Sequence, residues 1–151
     1  MPALDKSIKK LRQLAPVLNK TTDDAARVVQ EVENLLSKDL GLGIDESVVI
    51  HSYNVSKVKE QITSLAYRRV AGKFRIAVVV EECTEFADSN NLAWNEVEVT
   101  PWLECPRDMK LTSFPKLPDL LEALVKKAEE TAERVAKAQE AVEGLLGEVK
   151  S

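Results

Sequence analysis

One histidine, His51, and two cysteines, Cys83 and Cys105, are the side chains of this sequence best suited to proton transfer or nucleophilic attack near neutral pH. His51 sits beside Tyr53 in a β-branched run, with no serine, cysteine or carboxylate at a spacing that marks a catalytic partner. A structural histidine is the expectation. Cys105 lies in Cys105-Pro106-Arg107, where a helix is expected to start. A thiol beside a helix N-terminus and an arginine would ionise more easily and attack better. Glu104 and Asp108 oppose that ionisation, and neither a CxxC nor a phosphate-binding cysteine loop surrounds it. A packed, inert thiol is expected there, and at Cys83 too. Two cysteines form neither a disulfide framework nor a metal-ligand spacing, so free thiols in a reducing compartment are the simpler reading.

Charge is segregated along the chain. Residues 76–108 hold eight acidic groups, Glu81, Glu82, Glu85, Asp88, Glu96, Glu98, Glu104 and Asp108, against one basic group. Asp88-Ser89-Asn90 opens like a calcium loop, but Leu92 takes the next ligand position and no glycine turn follows. A solvated acidic face is expected, with no metal. Lys57 to Arg75 is the opposite, with Lys57, Lys59, Arg68, Arg69, Lys73 and Arg75 against Glu60 alone. With Tyr67 and Phe74 nearby, Arg68, Arg69, Lys73 and Arg75 are candidates for contact with phosphates or with an acidic partner surface. The acidic 76–108 segment of another copy would be one such surface. The whole chain carries a net charge of −4 and a pI near 5.2, which argues against a dedicated polyanion binder. GxGxxG, P-loop, HExxH and GxSxG are all absent, so neither a cofactor site nor a local catalytic constellation is indicated.

The elements that position these residues follow from periodicity. Leu4, Ile8, Leu11 and Leu14 recur at helical spacing, and Pro16 is expected to end or kink that helix. Thr21-Thr22-Asp23-Asp24 looks like the capped start of a second helix, whose stripe of Ala25, Val28, Val29, Val32, Leu35, Leu36 and Leu40 is closed by Gly41 and Gly43. Residues 1–43 therefore read as a helical hairpin. Residues 44–100 read as an antiparallel meander, with strands at Val48–Val55, Ile62–Val70 and Lys73–Cys83 and an acidic edge strand at Glu96–Val99. Ala71-Gly72 is a hairpin-length turn. One face of this sheet is strongly apolar and the other mixed, as when a sheet is covered on one side. Asp88–Asn91 reads as a loop, residues 101–117 as a loop and short helix opened by Pro106, and 118–150 as one long helix. Helices flanking consecutive strands define a single α+β domain over 1–151.

The long helix is the most informative element. Leu121, Ala128, Val135, Val142 and Val149 recur every seven residues, with Leu124, Thr131, Ala138 and Leu145 between them. Such a seam implies packing against another helix. A helix of about 48 Å outruns a sheet whose strands reach about 30 Å. Its second half must therefore meet either the Thr22–Leu40 helix of the same chain or a second copy. The seam positions Leu121, Leu124, Ala128, Thr131, Val135, Ala138, Val142 and Leu145 are the expected interaction surface of a non-enzymatic protein-interaction or assembly module, whose partner is another protein or a second copy in a homo-oligomer. Nucleic-acid binding through residues 57–75 is the alternative, and a small enzyme using Cys105 the next. The first residues interleave charge with apolar side chains and the longest apolar run is Ile76–Val80, so the expectation is a soluble, cytoplasmic protein with no membrane segment.

Overall fold

The computed structural model describes residues 2–85 and 92–151. Helix α1 (Pro2–Asn34) ends in a widened π turn at Leu35–Asp39. Strands β1 (Glu46–Asn54), β2 (Lys59–Val70), β3 (Lys73–Glu85) and β4 (Leu92–Pro101) follow, antiparallel and in the order β1-β2-β3-β4. A 3-10 turn at Trp102–Glu104, helix α2 (Arg107–Ser113), a second 3-10 turn at Phe114–Lys116 and helix α3 (Leu117–Lys150) complete the α+β fold. The meander and the long C-terminal helix are as the sequence implied. The expected loop at Asp88–Asn91 lies outside the described residues.

The N-terminal helical hairpin is not observed: α1 is one helix that runs through Pro16. The hydroxyls expected to cap a second helix do something else. Thr21 Oγ1 donates to the Val17 carbonyl and Thr22 Oγ1 to the Leu18 carbonyl, both at 2.9 Å, so each bonds back along a continuous helix. Asp24 lies 3.4 Å from Lys20 and 3.6 Å from Arg27, one turn before and after it. Proline at position 16 removes a single amide, and the helix runs on through it with its apolar stripe in register. Leu4, Ile8, Leu11, Ala15, Leu18, Thr22, Ala25, Val29, Val32 and Leu36 alternate spacings of four and three without losing phase. The Leu40 amide then donates to the Leu35 carbonyl at 2.9 Å, and Gly41, at φ +56°, turns the chain so that the Leu42 amide reaches the Leu36 carbonyl at 2.8 Å.

In the β2–β3 hairpin, Val70 faces Lys73, leaving Ala71 and Gly72 as a two-residue turn. Both have positive φ, 51° and 85°, which is the twist that matches a right-handed hairpin. Gly72 adopts this freely, whereas Ala71 pays a steric cost. β1 carries a bulge between Val49 and His51, and β4 an irregularity opposite Val80–Glu81.

The core gathers Ala25, Val29 and Leu36 from α1, Leu65, Tyr67, Ile76 and Val78 from the central strands, Trp102 and Cys105, and Leu117, Leu120 and Leu124 from α3. Each large aliphatic or aromatic member stabilises the fold by roughly 1.5–3 kcal/mol on burial. Trp102 Nε1 donates to Ser113 Oγ at 2.9 Å, and that hydroxyl donates to the Met109 carbonyl at 2.6 Å, which ties α2 to the end of the sheet. Ser64, Ala66, Ala77 and Val79, of opposite strand parity to Leu65 and Ile76, are buried as well, so the middle of the sheet is covered on both faces rather than one.

Neither long helix is buried over its whole length. At 34 residues α3 is about 51 Å long. Its first turns supply the core, Ala128 and Thr131 are half-buried, and every residue from 132 to 150 is exposed. In α1 the pattern is reversed, with residues 2–21 all exposed and the core contacts beginning near Ala25. The N-terminal helix of the same chain therefore does not cover the second half of α3.

Candidate functional site

His51 lies exposed on β1, an edge strand, while Cys105 follows β4 at the other edge. Three strand spacings separate those edges, about 14 Å, far beyond hydrogen-bond reach. The Cys105 thiol is buried, facing the Thr100 and Pro101 carbonyls at 3.8 and 3.5 Å. Burial pushes its pKa up, the nearby Lys110 charge lowers it in part, and Glu98 and Glu104 raise it again. Desolvation thus outweighs the activation that a helix start and an arginine suggest. Cys83 is free and buried too.

The basic hairpin and the acidic stretch meet each other within one chain. Lys59 Nζ is 3.3 Å from Glu82, Arg68 hydrogen-bonds Glu96, and Arg75 Nε donates to Glu33 Oε1 at 3.2 Å. Arg69 lies over the Phe74 ring, 5.3 Å from its centroid, and Phe74 stacks on Tyr67. Of the four cations proposed for phosphate contact, Lys73 alone has no such neighbour among the described residues. Arg68 also relieves a like-charge contact, because Glu81 and Glu96 face each other across β3 and β4. The sequence contains these charges but not their register, which only strand pairing supplies. No group of three or more His, Cys, Asp or Glu side chains is placed to hold a metal ion among the described residues, and no helix is long and apolar enough to cross a membrane.

A cleft of about 620 Å³ opens where the end of α1 meets the β2–β3 hairpin, lined by Glu33, Ser37, Lys38, Tyr67, Lys73 and Arg75 among others. Its inner polar groups are already used. Glu33 Oε1 accepts from the Ile76 amide at 3.1 Å as well as from Arg75, and the Tyr67 hydroxyl donates to the Leu42 carbonyl at 3.1 Å. No buried side-chain nitrogen or oxygen among the described residues lacks a partner. Glu33 Oε1 and the Tyr67 hydroxyl are thus engaged within the chain.

The remaining feature is apolar. On the exposed half of α3, Val135, Val142, Leu145, Leu146 and Val149 are 49–83% exposed. Of the eight expected interaction positions, Leu124 is buried in the chain's own core and Leu121 packs against it. Ala128 and Thr131 are half-buried, and Val135, Ala138, Val142 and Leu145 face solvent. The surface open to a partner is thus the C-terminal half of the seam. Sequence reasoning missed its counterpart. Leu4, Ile8, Leu11, Leu14, Val17 and Leu18 of α1 are 41–63% exposed, because the helix expected to fold back at Pro16 extends instead. The unbroken four-three spacing across Pro16 was the available signal.

A scan of protein-family models, a search of curated proteins and a search of solved structures each found no match to this chain.

Proposed function

We propose that this protein is a non-enzymatic assembly module that binds its partner through the exposed half of α3. The observation that carries this reading is a run of 19 consecutive exposed helical residues, 132–150, bearing exposed Val135, Val142, Leu145 and Val149 at seam positions with exposed Leu146 beside them. Large apolar side chains held in water along one helix face are the usual mark of an interaction surface. A helix in water keeps such a stripe only at a cost, since each buried methylene would gain about 0.8 kcal/mol.

Light scattering tests it directly. At about 100 μM, weaker than typical biological affinities, the protein is expected to weigh more than its 16.8 kDa chain mass. Val142→Asp with Leu145→Asp, both at exposed positions, should return it to the single-chain mass with the core intact. An oligomer indifferent to these two substitutions would remove α3 as the surface.

A further inference from the structure

We infer that the exposed half of α3 is covered by the exposed half of α1 from a second copy of the chain, each pairing being made twice in a closed two-fold dimer. This rests on the assembly reading above and names its partner. The two surfaces match in length: residues 2–21 and 132–150 are exposed throughout, so each presents a helix of about 30 Å. They match in shape. The α1 stripe is bulky, with Leu4, Ile8, Leu11 and Leu18, whereas the α3 seam sets Ala138 among its valines and Leu145, with Ala141 at its edge. Large side chains against small ones let two helices approach closely.

They match in charge. Residues 2–21 carry Lys6, Lys9, Lys10, Arg12 and Lys20 with Asp5 as the lone acid, a balance of +4, while residues 132–150 carry Glu133, Glu140, Glu143 and Glu148 against Arg134, Lys137 and Lys150, a balance of −1. Pairing α1 with α1 sets strong like charge against like, whereas the crossed pairing joins halves whose net charges have opposite sign. Two-fold symmetry makes the contact reciprocal, so both exposed halves are covered at once and no chain of open contacts propagates. With four of every seven residues facing the partner along each half, about 22 residues per protomer enter the interface, within the ~20–30 of a standard one.

The experiment uses two full-length variants and their mixture. One carries Ile8→Lys and Leu11→Lys, the other Val142→Glu and Leu145→Glu, all at exposed positions. Near-UV circular dichroism of the buried Trp102 monitors folding of the core. Wild type is expected at twice the chain mass and each variant alone at the chain mass. Mixed in equal amounts, they should regain the double mass, because lysine-bearing α1 then meets glutamate-bearing α3 while the other pairing is wild type on both sides. A first variant that stays dimeric beside a monomeric second one would mean that α3 pairs with α3, which refutes this inference and leaves the assembly reading standing. A second variant that stays dimeric refutes the assembly reading itself. A wild-type monomer, or two monomeric variants whose mixture stays monomeric, refutes the crossed dimer.

Discussion

Replacing Glu33 by alanine tests how α1 is fastened to the sheet. Glu33 is 8% exposed, and its Oε1 accepts from the Ile76 amide at 3.1 Å and from Arg75 Nε at 3.2 Å. Ile76 is 1% exposed, so without the carboxylate its amide loses its partner in a dry environment, at about 1–3 kcal/mol. The Arg75 side chain is 29% exposed, and water screens its pairing, so that contact adds only about 0.5–1 kcal/mol. The sum, about 1.5–4 kcal/mol, corresponds to a fall in Tm of roughly 3–16 °C for a chain of this length. Glu33→Gln keeps an oxygen for the Ile76 amide and should cost about 1 kcal/mol, mostly the lost charge. Urea unfolding followed by circular dichroism, at one fixed protein concentration, measures both. A loss under 1 kcal/mol for alanine, or equal losses for alanine and glutamine, would refute the view that the buried amide bond dominates.

Ala71 at φ +51° sits where alanine is strained and asparagine is tolerated, so Ala71→Asn should raise stability by about 0.5–1 kcal/mol in the same assay. Burial, and secondarily the charge of Glu33, holds the Tyr67 phenol above its ordinary pKa of about 10. The folded state then keeps a proton that the unfolded state releases, so this contribution is intact below about pH 10 and is lost as pH rises further; Tyr67→Phe should show a shallower alkaline loss of stability in urea titrations at pH 9–11.5. Both thiols are buried and that of Cys105 is harder to ionise than usual, so a thiol reagent at pH 8 should label neither in the folded protein within the time that labels both in guanidinium; prompt labelling of Cys105 would contradict the account of its burial.

The strands were legible because alternation and the Ala71-Gly72 turn are local signals, and each observed strand begins and ends within a few residues of the expected positions. The short helix after Pro106 and the long helix after Pro118 were legible for the same reason. Pro16 misled because a proline removes one helical hydrogen bond without having to end the helix, and α1 runs through it. The heptad of α3 marked helix packing but not where the chain's own core stops. Leu124 and Leu145 occupy equivalent heptad positions, and only the extent of the sheet separates them into core and surface. The charge pairs Lys59–Glu82 and Arg68–Glu96 needed strand register, a tertiary quantity, to appear.

The two exposed half-helices also bear on order. Backbone hydrogen bonding alone holds a solitary helix of 15–20 residues only marginally in water. Gly144 and Gly147 each weaken it by about 1 kcal/mol relative to alanine, and Pro16 leaves the carbonyl of Arg12 without its helical donor. In a lone chain these segments fray from Pro2 inward and from Lys150 inward, while the helical turns rooted in the core stay fixed. Covering them completes their helices as well as hiding their side chains, so association and folding of the arms become one equilibrium. In the proposed dimer, helical content is expected to rise with protein concentration, and the two arms acquire their final shape only on association.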